Sequence, residues 1–302
     1  MFSEQSGNMS SSGSTDSGSA GLLARWRLAL IALLVLCLAG CTTIPPAAPT
    51  TKPIPVLDYR ADSSVRQRNL LVLLRGYGED NNVFAKEGII EEIQRRHLPF
   101  DVIAPDAHFG YYRTQTLEVR LKEDIIEPAR RQGYEHIWLA GFSMGGLGCI
   151  LYLRKYPNDV DGILLTSPFL GWNSILREIG NAGGVESWQR TSDDKSDWQR
   201  MLWSWIKKHD FASEPPVWLG YGDKDELIST GPMFMAARLP AGRAFTVPGE
   251  HDLATFKSIF LHHLDILVRQ GNFPAKQLTS RNLDQASTDA SLPRNNLGAE
   301  PD

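Results

Sequence analysis

The sequence predicts an α/β architecture, a mostly parallel central sheet with helices on both faces and a small helical insertion. Three observations carry that expectation. Short apolar runs alternate with amphipathic helical segments along the middle of the chain. One of those runs ends in a Gly-rich turn that leads straight into a helical segment. The composition permits a core, with 302 residues of which 42% are hydrophobic and 22% charged. Strands alternating with helices favour a parallel sheet covered on both sides.

Each element follows from its pattern. Asn69–Leu74 (NLLVLL) is a continuous apolar run, the signature of a strand buried on both faces. Ala85–Arg96 places Ile89, Ile90 and Ile93 among charges and predicts an amphipathic helix. Phe100–Ala104 reads as a second strand and Leu117–Arg131 as a helix with Leu121, Ile125 and Ile126 on one side. His136–Ala140 is a third strand, followed by the helix Leu147–Tyr156, which Pro157 stops. Val160–Leu165, Val217–Tyr221 and Ala244–Val247 complete the strands, and Leu253–Arg269 is the last helix. Residues 170–212 interrupt the alternation with Trp172, Trp188, Trp198, Trp203 and Trp205. Trp198, Leu202, Trp205 and Ile206 fall at helical spacing, so this stretch reads as a small helical cap. Its aromatics either pack the cap on the sheet or wall a substrate pocket.

The two ends differ from this middle. Residues 1–20 are mostly Ser and Gly, and translation starting at Met9 is an alternative to Met1. Arg25 and Arg27 precede the apolar run Leu28–Ala39. Twelve helical residues span about 18 Å, short of a bilayer core of ~30 Å, which describes a signal peptide and not a membrane span. The run closes on Leu38-Ala39-Gly40-Cys41, which resembles the lipobox of bacterial lipoproteins. The resemblance implies cleavage before Cys41, its lipidation, and a lipid-anchored place in the cell envelope. Thr42 stands where an aspartate would signal retention in the enteric pattern, implying the outer membrane facing the periplasm. Residues 1–40 are thus the signal, 41–64 a Pro/Thr-rich tether, 65–272 the folded domain and 273–302 a disordered tail.

Composition narrows the function class. A net charge of −4 gives no electrostatic footprint for nucleic acid. Cysteines occur only at 37, 41 and 149, too few for a disulfide-stapled scaffold or a cysteine-rich zinc module. No metal or cofactor is expected.

The residues that carry chemistry cluster at strand ends. Gly141-Phe142-Ser143-Met144-Gly145 is a G-x-S-x-G element directly after a strand and before a helix. A sharp turn there lifts the serine oxygen above the sheet edge, and Gly141 and Gly145 admit neighbouring chain. The Met144 amide opens a helix and can donate to a developing oxyanion. A serine needs a base, and His251 lies in the loop after the last strand, at the same sheet edge. His262 and His263 sit inside the last helix and read as ordinary helix residues. The base needs an acid, and Gly222-Asp223-Lys224-Asp225 follows the penultimate strand.

With Ser143, then an acid, then His251, residues 65–272 resemble the α/β-hydrolase superfamily. The resemblance implies a serine hydrolase with the triad Ser143, Asp225 and His251, and keeps Asp223 as the reserve acid. Thr166-Ser167-Pro168 offers no acid at the alternative position used by some relatives. The second oxyanion donor is expected from Arg75-Gly76-Tyr77-Gly78, at the Tyr77 amide. Relatives often carry His-Gly there, and this chain has Arg75, read either as an attractor of an anionic substrate group or as an ion-pair partner of Glu79 or Asp80. Tyr111, Tyr112 and Trp172 are candidate pocket residues. The implied reaction is carboxylic ester hydrolysis on a small-molecule or lipid ester. A peptidase or amidase with the same triad and a catalytically silent envelope binding protein are the alternatives.

Overall fold

A computed structural model describes residues 48–61, 66–191, 196–228 and 230–269. The expected signal peptide at 1–40, Cys41 and the tail at 273–302 lie outside the described residues. Among the described residues, seven strands form one sheet in the order β1-β3-β2-β4-β5-β6-β7. They are β1 (Val56–Tyr59), β2 (Asn69–Leu74), β3 (Phe100–Pro105), β4 (His136–Phe142), β5 (Gly162–Thr166), β6 (Val217–Gly222) and β7 (Ala244–Val247). β1 runs antiparallel to β3, and every other pairing is parallel.

The period of two along each apolar run divides the core between the two faces. Leu70, Val72 and Leu74 of β2 point into one layer together with Ile137 and Leu139 of β4, Ile163 and Leu165 of β5 and Leu219 of β6. Leu71 and Leu73 point into the other, with Trp138, Phe142, Leu164 and Trp218. Helices cover both sides. α1 (Val83–Lys86) and α2 (Ile89–Arg95) follow β2, and α3 (Phe109–Arg113), α4 (Leu117–Leu121) and α5 (Glu127–Arg131) follow β3. α6 (Met144–Lys155) follows β4, α7 (Asn173–Asn181) and α8 (Trp198–Lys208) follow β5, α9 (Thr230–Ala236) follows β6, and α10 (Leu253–Arg269) is last.

Several boundaries differ from the sequence expectation for identifiable reasons. The helix expected over 85–96 is two, because Gly88 adopts a left-handed φ of 70° between α1 and α2. The helix expected over 117–131 contains a π-helical turn at Lys122–Ile126. Pro128 lies just beyond it and cannot donate to the Asp124 carbonyl, so the regular ladder cannot continue through that point. Residues 56–59, placed in the tether by their Pro-rich surroundings, form β1 on the edge of β3. Ahead of β1 the chain is fastened as well. Ile54 is buried, its amide donates to Asp124 Oδ2 at 2.9 Å, and the Thr51 amide donates to the Tyr111 hydroxyl at 3.1 Å.

Between β5 and β6, α7 and α8 pack their buried sides into the same layer as α6. Ile175, Leu176 and Ile179 of α7 and Leu202, Trp203 and Ile206 of α8 belong to it, as does Trp188 between them. Trp203 donates its indole N–H to the Leu170 carbonyl at 2.8 Å. Trp188 and Trp203 are therefore packing residues, and Trp172 alone of the five is strongly exposed, at 62%.

Candidate active site

β4 delivers Ser143 at its carboxyl end, and α6 begins at the next residue. The turn between them is tight enough to force Ser143 to φ 49°, ψ −111°, a region that costs a non-glycine residue of order 1–3 kcal/mol. Close packing maintains it. A Cβ on Gly145 would stand 2.0 Å from the Leu74 carbonyl oxygen, and one on Gly141 would stand 2.3 Å from the Gly145 carbonyl. Only glycine lets β2, β4 and α6 meet this closely. Two further bonds fix the turn, from the Ser143 amide to the Thr166 carbonyl at 3.0 Å and from the Phe169 amide to the Ser143 carbonyl at 2.9 Å.

The loop after β7 brings His251 to this edge, and the loop after β6 brings Asp225. Ser143 Oγ lies 3.0 Å from His251 Nε2, and His251 Nδ1 lies 2.7 Å from Asp225 Oδ2. Asp225 is almost wholly buried, and its other oxygen accepts the Ile228 amide at 3.2 Å. A carboxylate can only accept, so the imidazole proton sits on Nδ1, which leaves Nε2 free to accept from the serine hydroxyl. Phe256 packs edge-on against the imidazole, 4.8 Å between ring centres. The reserve acid Asp223 does not face His251. It is exposed, and its carboxylate accepts the Gly249 amide at 3.1 Å, tying the two loops together.

The loop after β2 lies beside the serine, since a Cβ on Gly76 would stand 3.8 Å from Ser143 Cβ. Tyr77, the expected second donor through its amide, follows directly, and its side chain is exposed. Met144 is buried at the first position of α6, where helix amides lack partners within the helix. Arg75 is buried and forms neither of the ion pairs expected for it. Its Nε donates to Asp106 Oδ1 at 3.0 Å, and Nη1 donates to the carbonyl oxygens of Gly76, at 3.3 Å, and Glu79. Asp80 pairs with Lys86 instead. Arg75 thus buckles the Gly76–Glu79 loop to the end of β3 and presents no free guanidinium to a substrate.

Of the candidate pocket residues, only Trp172 is open to solvent near the serine. It meets Phe169 edge-on at 4.7 Å. Tyr111 is wholly buried, with its hydroxyl on Thr51, so it does not line a cleft. Tyr112 reaches behind the elbow, where its hydroxyl donates to the Met144 carbonyl at 2.9 Å, and burial pushes its phenol well up. Phe169 and Asp106 carry no motif that singles them out in the sequence. Their position just past the ends of β5 and β3 was the available signal.

Comparison with known proteins agrees with the fold. A family model described as the alpha/beta hydrolase fold matches residues 69–191. Lipase 1 of Psychrobacter immobilis is 24% identical over 217 residues, covering 64% of this chain and 65% of that lipase. Lipase 3 of Moraxella sp. (strain TA144) is 23% identical over 223 residues, covering 64% and 66%. The match thus spans just under two thirds of the length of these relatives. Among solved structures, the fluorophosphonate-binding serine hydrolase FphF of Staphylococcus aureus superposes with a TM-score of 0.50 at 15% identity, covering 74% of this chain and 99% of that one. Est1E of Butyrivibrio proteoclasticus does so with a TM-score of 0.50 at 15% identity, covering 72% and 99%. The chain has the α/β-hydrolase fold, and residues 69–191 carry the match to that family's model.

Proposed function

We propose that this protein is a lipid-anchored serine hydrolase that cleaves carboxylic esters through an acyl-enzyme. The observation that carries the reading is the chain of contacts from Ser143 Oγ to His251 Nε2 and from His251 Nδ1 to Asp225, at 3.0 and 2.7 Å, with the serine held at positive φ. Lipases among the relatives support ester cleavage, and the lipobox-like sequence ending at Cys41 supports the anchor.

In this reading His251 takes the proton of Ser143 as its oxygen attacks the ester carbonyl. The oxyanion that forms is received by the backbone amides of Met144 and Tyr77. Collapse of the tetrahedral intermediate breaks the bond to the alkoxide, which leaves with the proton from His251. Water then attacks the acyl-serine, giving its proton to the same histidine, and the acid departs as Ser143 is reprotonated. Asp225 keeps the imidazole in the required tautomer and stabilises the imidazolium at each stage.

The test is labelling of the full-length protein with a fluorophosphonate, together with release of alcohol from a short-chain aryl ester. The wild type is expected to label, Ser143→Ala to lose the label, and Cys41→Ser to lose incorporated palmitate. Label retained on Ser143→Ala would refute the nucleophile, and palmitate retained on Cys41→Ser would refute the anchor.

A further inference from the structure

Among the described residues, seven large apolar side chains are exposed, and six stand at one edge of the molecule. Tyr77 follows β2, Phe109 follows β3, Trp172 follows β5, and Leu227 and Met233 follow β6, each beyond the carboxyl end of its strand. Val56 joins them, because the antiparallel β1 sets it opposite Pro105 at the carboxyl end of β3. This is the edge that carries Ser143. The seventh, Val268, lies at the far end of α10, at the opposite edge beside the Arg96–Asp265 ion pair. Exposed apolar groups scattered by chance would not segregate in this way, and rims of this kind mark interaction surfaces. Tyr77 and Phe109 also pack edge-on, 5.6 Å between ring centres, so part of the rim is a shared aromatic surface.

We infer that this rim docks on the surface of a lipid bilayer, so that the serine opens onto lipid ester. The inference rests on the reading of the chain as an anchored hydrolase. The path of the N-terminal segment identifies the occupant. A Cβ on Gly110, in α3 beside the rim, would stand 2.4 Å from the carbonyl oxygen of Ala48, and Thr51 is held by Tyr111. Ala48 lies seven residue steps beyond Cys41, and a fully extended chain of that length reaches about 25 Å. An acylated Cys41 therefore holds the catalytic edge within that distance of the bilayer. Tyr and Trp suit the boundary between lipid and water, since each joins an apolar ring to a polar tip. The exposed charges flanking the rim balance, Asp80, Asp223, Glu226 and Glu250 against Lys52, Arg113, Arg177 and Lys224, which gives no net attraction to an anionic surface and suits a zwitterionic one.

The test uses the mature protein in phosphatidylcholine vesicles, spin-labelled at Phe109→Cys, Leu227→Cys, Met233→Cys and, as the opposite edge, Val268→Cys. Cys149 is wholly buried and does not compete for label. Docking predicts that labels at 109, 227 and 233 lose access to a water-soluble nickel chelate and gain access to oxygen, while the label at 268 stays aqueous. Rim labels as aqueous as the one at 268 overturn the inference, as does spin–spin broadening that reveals a second copy on the rim. The double variant Leu227→Ser/Met233→Ser should cleave a long-chain ester in vesicles about ten-fold more slowly. It should cleave a soluble short-chain ester at the wild-type rate. Fluorophosphonate labelling in the same vesicles separates the two failures. Labelling with an aqueous rim removes the docking alone, and a rim in lipid without labelling removes the hydrolase reading.

Discussion

Arg75 illustrates what a single residue can do beside the candidate nucleophile Ser143. Its guanidinium spans Asp106 on one side and two carbonyls of the Gly76–Glu79 loop on the other. The loop's conformation, and with it the direction of the Tyr77 amide, follows from that planar fork. Lysine keeps the charge and loses the fork. Arg75→Lys should therefore lower kcat for a short-chain ester about ten- to a hundred-fold, less than the 10²–10³ of a deleted oxyanion donor. KM should change little, and a boronate transition-state analogue should bind more weakly in proportion to kcat. An unchanged kcat, or a loss confined to KM, would contradict the role. At this scale the sequence was informative where a residue is defined by its neighbours in the chain. Ser143 lies in a Gly-rich turn, and Asp225 and His251 lie just past strand ends, so local pattern plus strand order is enough to single out these three candidates. The partners of Arg75 are not legible in the sequence, because the choice between Glu79, Asp80 and Asp106 is made by the approach of β3 to β2 and not by spacing. The burial of Tyr111 is hidden for a related reason, since it depends on the path of residues 48–54.

Elements were legible where their period is strong, as in β2, β4 and α10, and less so where a tertiary contact decides. The Pro-rich surroundings of Val56–Tyr59 hide a strand that is held by its pairing to β3 and by packing of Leu57 and Tyr59 against the core. The last helix contains a feature that its amphipathic pattern does not disclose. His263 is completely buried against β5, its Nε2 3.0 Å from the Leu165 carbonyl. Burial pushes its pKa down to about 4 from an ordinary value of 6.5. In the folded protein it is neutral and donates to that carbonyl. The sign follows from linkage. Above pH 6.5 neither the folded nor the unfolded state protonates it, and its contribution is complete. Between about 6.5 and 4 the unfolded chain takes up the proton and the folded one does not, so stability falls as the pH is lowered, by about 3 kcal/mol in all. Below pH 4 both states bind it and the loss levels off. His263→Gln keeps a donor for Leu165 and removes the titration. Urea midpoints of wild type and variant should diverge between pH 7 and 4.5, with the variant the flatter, and parallel profiles would exclude the mechanism.

At the scale of the whole molecule, the two-sided sheet was readable because its strands are apolar on both faces, which admits only a layer of helices on each side. The N-terminal limit of the folded unit was not, because Pro and Thr suggest a free tether while the tertiary structure recruits part of it. Ile54 is buried in the layer that holds α3 to α6, its amide occupies Asp124, Thr51 occupies Tyr111, and β1 covers the outer edge of β3. Burial of an isoleucine alone is worth about 2–5 kcal/mol, and an uncovered strand edge invites pairing with other chains. A protein beginning at Ala48 should therefore melt as the mature chain does. One beginning at Ala61 should melt at least about 5 °C lower, given roughly 2–4 °C per kcal/mol for a domain of this size. It should also self-associate on warming, as read by scanning calorimetry together with light scattering. Equal melting temperatures for the two would return residues 48–60 to the tether, and the segment's path along α3 would then have no bearing on how the edge that carries Ser143 is presented.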